Sequence, residues 1–155
     1  MSLAKPVTGI VRKAAPRDVE HLFAVWETAV AATHDFVSSE DKQALTKLVK
    51  EQYLPSADLD VFVDAGDIPI AFMGMTGNEI DSLFVHANAR GTGVGRRLVE
   101  LAVERHGVVK TEVNEQNAQG VEFWQHMGFE VKGRSEFDGQ GRPYPLLKME
   151  RPADT

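Results

Sequence analysis

The spacing of apolar residues along the chain switches repeatedly between a period of two and a period near 3.6, and each switch predicts an element. Gly9 to Ala14 alternates Ile10 and Arg12 with Val11 and Lys13 and reads as a first strand. Pro16 suits the first turn of a helix, and Val19, Leu22, Phe23, Trp26, Val30 and Thr33 then fall on one face, so helix one runs to about Thr33. Ser38-x-x-Asp41 resembles a capping box and opens a second helix with Leu45, Leu48 and Val49 inward, ending before Pro55. Asp58 to Asp64 sets Leu59, Val61 and Val63 against Asp60, Phe62 and Asp64, which predicts a strand exposed on one face. Ala65-Gly66-Asp67 turns into a third strand, about Ile68 to Thr76, with Pro69 near its start. Gly77-Asn78 turns into a fourth that begins at Glu79.

A third helix follows from about Val94 to His106, with Val94, Leu98, Leu101 and Ala102 at helical spacing. Val108 to Val113 is the fifth strand, parallel to the fourth through that helical crossover. Asn117 can cap a fourth helix carrying Val121, Trp124 and Met127 inward. Phe129 to Phe137 and Tyr144 to Glu150 form a closing hairpin around Asp138-Gly139-Gln140-Gly141. A strand meander followed by strand-helix units is an α+β or mixed α/β layout, and with no linker or repeat it predicts a single domain over residues 1–155.

Between the fourth strand and the third helix lies Arg90-Gly91-Thr92-Gly93-Val94-Gly95. Glycines at a strand-to-helix turn let backbone N–H groups approach a ligand closely, and the first N–H groups of the helix carry the positive end of its dipole. That is an anion site, most often for phosphate. Two nucleotide readings compete for it. A dinucleotide fingerprint needs its third glycine at the position of Arg96, although Glu112 lies at about the right distance for a ribose-binding acid. A Walker loop needs Gly-Lys-Ser/Thr where this chain has Gly95-Arg96-Arg97.

Arg90-x-x-Gly93-x-Gly95 resembles the acyl-CoA signature of the GNAT superfamily of N-acetyltransferases, and Leu83-Phe84-Val85 resembles that family's fourth strand. Asn114-Glu115-Gln116-Asn117 and Phe123-Trp124-x-x-x-Gly128-Phe129 resemble its second conserved block. Thr33-His34-Asp35-Phe36 and the run from Gly141 to Leu147 look closest to a bacterial, YjaB-like branch. The resemblance spans nearly the whole chain. It implies a three-layer mixed α/β (α+β) fold: a mostly antiparallel seven-stranded sheet, parallel fourth and fifth strands that splay apart, and about four helices. It also implies acetyl-CoA as co-substrate, with Leu83, Phe84 and Val85 along the pantetheine arm and Arg90, Gly91, Thr92, Gly93, Val94, Gly95 and Arg96 around the pyrophosphate. Asn117, Phe123 and Trp124 would complete that slot, and Lys110 is a further basic neighbour.

Composition narrows the partners. A length of 155 residues, 43% hydrophobic and 26% charged, fits one domain with a sizeable core. The net charge of −6 argues against nucleic-acid or anionic-membrane binding and is compatible with a cationic amine, either a small molecule or a peptide amino group. Met1 to Pro6 has no signal-peptide core and no run approaches the length of a membrane span, so a cytoplasmic enzyme is the simplest expectation. A homodimer is common among relatives. With no cysteine and only scattered histidines, neither a metal site nor a cysteinyl intermediate is expected, and the amine attacks the thioester directly.

Transfer requires a base for the amine, a donor for the oxyanion and a proton for the leaving thiolate. By resemblance the Val85 N–H is the oxyanion donor. Glu79 and Asp81 share one face of the fourth strand and are the candidate bases, Asp81 preferred, with His86 on the other face. Relatives usually carry tyrosine where this chain has Trp124, and an indole N–H gives up no proton near neutral pH. Tyr144 is the alternative donor. His34 and Asp35, following helix one, are candidate contacts for the acceptor. A rival reading is an acyl-CoA-binding module with little transferase activity.

Overall fold

The computed structural model describes residues 8–154; the opening stretch Met1 to Pro6 lies outside the described residues. One seven-stranded sheet, in the order β1-β2-β3-β4-β5-β7-β6, carries helices on both faces. Its strands are β1 (Gly9–Lys13), β2 (Leu59–Asp64), β3 (Pro69–Thr76), β4 (Glu79–Val85), β5 (Val109–Asn114), β6 (Glu130–Ser135) and β7 (Leu146–Arg151). Every neighbouring pair is antiparallel except β4 with β5. The helices are α1 (Val19–Thr33), α2 (Ser39–Leu48), α3 (Val94–His106) and α4 (Ala118–His126). None of them is long and apolar enough to cross a membrane.

Helix α1 buries Leu22, Val25, Trp26, Ala29 and Val30, the i, i+3, i+4, i+7, i+8 stripe of an amphipathic helix. That stripe packs on Leu59, Val61, Val63 and Phe72 on one side of the sheet. On the other side Val94, Leu98, Val99 and Ala102 of α3 meet Phe62, Ala71, Met73, Ile80 and Val109. The result is the expected three-layer arrangement.

Two local expectations are corrected. Strand β2 is covered on both faces, because α3 returns over the side that carries Asp60 and Phe62. Asp60 is 4% exposed and accepts from the two terminal guanidinium nitrogens of Arg105, at 2.8 and 3.1 Å, so a buried charge is matched by an ion pair. The helical run after Ser38 also passes through Pro55. A π turn over Val49–Tyr53, closed by Leu54 N–H to the Val49 carbonyl, precedes a last turn at Leu54–Ser56. The wider turn moves the carbonyl four residues back away from the proline ring, which otherwise breaks a helix.

Candidate active site

Strands β4 and β5 pair at only two positions, Glu79↔Lys110 and Ile80↔Thr111, and then separate. The closed end is pinned: Thr111 Oγ1 donates to the Ile80 carbonyl at 3.0 Å, and Asn78 Nδ2 to the Val108 carbonyl at 3.1 Å. A register shift at Gly74/Met75 bends β3 and β4 just beyond, and such a bulge re-aims the strand that carries it. His86 N–H donates to the Ile70 carbonyl at 2.9 Å, toward β3. Because N–H directions alternate along a strand, those of Val85 and Leu83 point into the gap, unpaired by β5.

The gap continues as a cleft of about 440 Å³ lined by the ends of four elements. Leu83, Phe84 and Val85 form the strand wall, while Gly91, Gly93, Val94, Gly95 and Arg96 form the loop wall. Gly91 and Gly93 have φ of 76° and 87°, a region that favours glycine, and Gly93 is the residue from which α3 starts. The first N–H groups of α3 therefore face the cleft without helical partners. Gly95 lies against the opposite wall, where a Cβ would sit 3.3 Å from the Phe123 ring.

From the far side α4 contributes Asn117, Phe123 and Trp124. Asn117 caps that helix by accepting from Gly120 N–H at 2.9 Å. Trp124 is buried and stands edge-on to Phe123 and Phe129, with ring centres 5.2 and 4.9 Å away. Arg90 reaches across the mouth to donate to Gln119, a contact that no sequence signal marks beyond the place of Gln119 in the first turn of a capped helix.

The cleft is lined from both faces of the sheet. Leu83 and Val85 pack with the α3 and α4 side, whereas Phe84 packs with the α1 side, and Ala29, Thr33 and His34 close the cleft there. The Thr33 hydroxyl donates to the Ala29 carbonyl at 2.8 Å and lies 2.6 Å from His34 Nδ1. Burial holds the His34 imidazole below its ordinary value, against the Asn114 side chain and the Asp35 charge, which favour the protonated form.

Most of the residues expected around a cofactor are thus gathered in one place, together with His34. Thr92 donates its hydroxyl to the Ala89 carbonyl and does not line the cleft. Asp35 is exposed beside it. Glu79, Asp81 and Tyr144 are not brought in. Glu79 lies at the pinned end of the gap, and exposed Asp81 accepts from the Thr76 hydroxyl at 2.5 Å. The Tyr144 hydroxyl donates to Asp41 and accepts from Ser38 N–H, serving the start of α2. Lys110 lies 4.0 Å from Glu150 and His86 accepts from Asn88 N–H, both outside the cleft.

This fold, with its glycine turn feeding a splayed parallel strand pair, defines an acyl-CoA N-acyltransferase. The acetyltransferase (GNAT) domain family matches residues 57–131. The chain is 45% identical to the peptidyl-lysine N-acetyltransferase YjaB of Salmonella typhimurium over 139 residues, 90% of this chain and 95% of the relative. It therefore belongs to the GNAT acetyltransferases, and it is an N-acetyltransferase. The solution structure of apo YjaB from Escherichia coli superposes with a TM-score of 0.90 at 43% identity, covering 95% of this chain and 99% of that one. The N-acetyltransferase PaiA of Thermoplasma acidophilum, solved in complex with coenzyme A, shares the fold with a TM-score of 0.74 at 18% identity, over 94% and 99% of the two chains.

Proposed function

We propose that this enzyme transfers the acetyl group of acetyl-CoA to the side-chain amine of a lysine presented by a peptide or protein. The observation that carries the proposal is the cleft at the splay of β4 and β5, which is lined from both faces of the sheet, by α3 and α4 on one side and the end of α1 on the other. The donor enters beside α3 and α4. Its pyrophosphate is held by the N–H groups of the glycine turn, its pantetheine amides by the free edge of Leu83 to Val85. Arg90 and Arg96 lie near enough to add charge, and Phe123 and Trp124 cover the arm. The Val85 N–H, pointing into the gap, receives the developing oxyanion. The acceptor enters from the α1 face, where acidic Asp35 and Glu40 favour a cation.

The peptidyl-lysine specificity named for the relative at 45% identity supports this acceptor class. The test is thiol release from acetyl-CoA across lysine peptides, amino-terminal peptides and small amines. With no cysteine in the chain, every thiol detected is CoA. Release with lysine peptides above the other acceptors is expected; release with small amines alone would refute the acceptor class.

A further inference from the structure

Among the described residues, none of those lining the cleft is a carboxylate. Its ionisable side chains are Arg90, Arg96, His126 and His34, and a guanidinium accepts no proton at working pH. His126 stands at the exposed end of α4, 3.7 Å from Glu122 and on the side assigned to the donor. His34 is on the other side, at the end of α1, where the amine would arrive.

The hydrogen bonds around His34 also bear on its tautomer. The single hydroxyl proton of Thr33 is used on the Ala29 carbonyl. With that proton on the carbonyl, the Thr33 oxygen is placed to accept from the ring at 2.6 Å, an arrangement that favours the proton on Nδ1 and the lone pair on Nε2. The imidazole is further held by the Phe36 ring, whose centre is 5.3 Å away. The groups that favour its protonated form are the Asn114 side chain at the end of β5, through a hydrogen bond to the ring, and Asp35 on its own loop. The cationic Arg90 and Arg96 line the cleft from the α3 side.

We propose that His34 is the general base of the transfer, taking a proton from the incoming ammonium at Nε2, with Thr33 as the residue that positions it. This rests on the amine-acetylation reading above. One proton of the ammonium goes to His34. The freed amine then forms the C–N bond to the acetyl carbon as the C–S bond breaks, its second proton leaves with the CoA thiol, and the imidazolium releases its proton to water.

The experiment compares wild type, His34→Gln, Thr33→Val and Asp81→Asn with a lysine peptide, after calorimetry has shown that each variant binds acetyl-CoA. General bases contribute about 100-fold or more, so His34→Gln should lower kcat/KM by at least that factor. Wild-type kcat/KM should rise with pH and bend to a plateau below the ordinary imidazole value of about 6.5. Without the base, the His34→Gln rate should climb with unit slope toward the free-amine pKa near 10 and show no such bend. Thr33→Val should lower kcat while leaving the acetyl-CoA affinity alone.

A readout independent of turnover is the imidazole nitrogen spectrum, with the His34 signals assigned by their loss in His34→Gln. The Nδ1–H tautomer is expected, and an Nε2–H tautomer would overturn the proposal. So would a bend that survives in His34→Gln and disappears in Asp81→Asn. If the wild type acetylates no amine at all, the amine-acetylation reading fails, and the tautomer measurement still judges the geometry on which His34 was chosen.

Discussion

Replacing Gly93 with alanine isolates the backbone's share in holding a pyrophosphate. Gly93 has φ 87° and ψ 3°, and its carbonyl accepts from Arg97 N–H at 3.0 Å as α3 begins. A Cβ built there meets nothing within 4 Å, so the substitution introduces no clash, only the left-handed conformation. For a residue with a Cβ that conformation costs about 1–2 kcal/mol. The free turn can relax and the liganded turn cannot, so the cost falls on binding and loosens the CoA Kd by roughly 5- to 30-fold. Gly95→Ala is the counterpart. That glycine is inside the helix with ordinary dihedrals, but its Cβ would stand 3.3 Å from the Phe123 ring and 3.5 Å from Val85 Cγ2, narrowing the slot itself. Calorimetry with CoA and with acetyl-pantetheine, which lacks the pyrophosphate, separates the two. Gly93→Ala should weaken CoA alone, and Gly95→Ala should weaken both. An unchanged CoA affinity in Gly93→Ala would refute the assignment of the pyrophosphate to this turn.

Three further substitutions probe the frame around the cleft. Arg105→Met leaves the buried Asp60 carboxylate with Lys13 alone, 3.3 Å away; Arg105 is itself partly exposed, so the loss is about 2 kcal/mol rather than the 3–5 of a fully buried pair. Burial would raise the Asp60 carboxyl, but Arg105 and Lys13 hold it below its ordinary value. The pair's contribution is therefore present above the unfolded carboxylate value near 3.9 and lost as pH falls through the folded one. Denaturant midpoints should show the deficit at pH 7 shrinking toward acid; an equal deficit at all pH would contradict it. Trp124→Tyr opens space between Phe123 and Phe129, should lower stability by about 1–2 kcal/mol, and should raise kcat if thiolate departure lacks a donor. An unchanged kcat in the folded variant removes that limit. Tyr144→Phe releases Ser38 and Asp41, and should raise KM for the acceptor with little change in kcat; a fall in kcat near 100-fold would return Tyr144 to the chemistry.

Features with a local cause could be read from the chain before any coordinates. The glycine turn and the Asn117 cap each need only neighbouring residues, and each is found where expected; the buried stripe of α1 is turned from the expected face, taking in Val25 and Ala29 and leaving Val19, Phe23 and Thr33 at its margin. What failed depends on distant chain. Asp60 looked solvated because its partner is 45 positions away on a helix that returns across the sheet. Pro55 looked like a terminator because one proline cannot reveal a π turn before it. Strand alternation puts Glu79 and Asp81 on one face but gives no position along the splay. The gap opens past Ile80, and no feature of the fourth strand alone fixes that point.

The same distinction explains why the acceptor is harder to read than the donor. The half assigned to CoA is built from backbone: positive φ at Gly91 and Gly93, a helix start, and a strand edge without a partner. Such geometry demands particular residue types at fixed spacing, so it leaves a motif. The acceptor side is joined by side chains from two loops. The His34 ring meets Phe36, Phe36 meets Tyr144 at 6.1 Å, and Arg142 Nε reaches Asp41 at 3.3 Å. No strand ladder ties the α1–α2 loop to the β6–β7 loop; aromatic contacts and a short polar chain do. Many residue combinations can make such a junction, each shaping the wall differently, and substitutions there can alter the acceptor while leaving the glycine turn untouched. Specificity changes should therefore map to residues 33–41 and 136–145, and exchanging those two segments together with a relative of different acceptor preference should move the preference while leaving the CoA Kd in place. A shift in CoA affinity of the size expected for Gly93→Ala would show that the two halves are not separable.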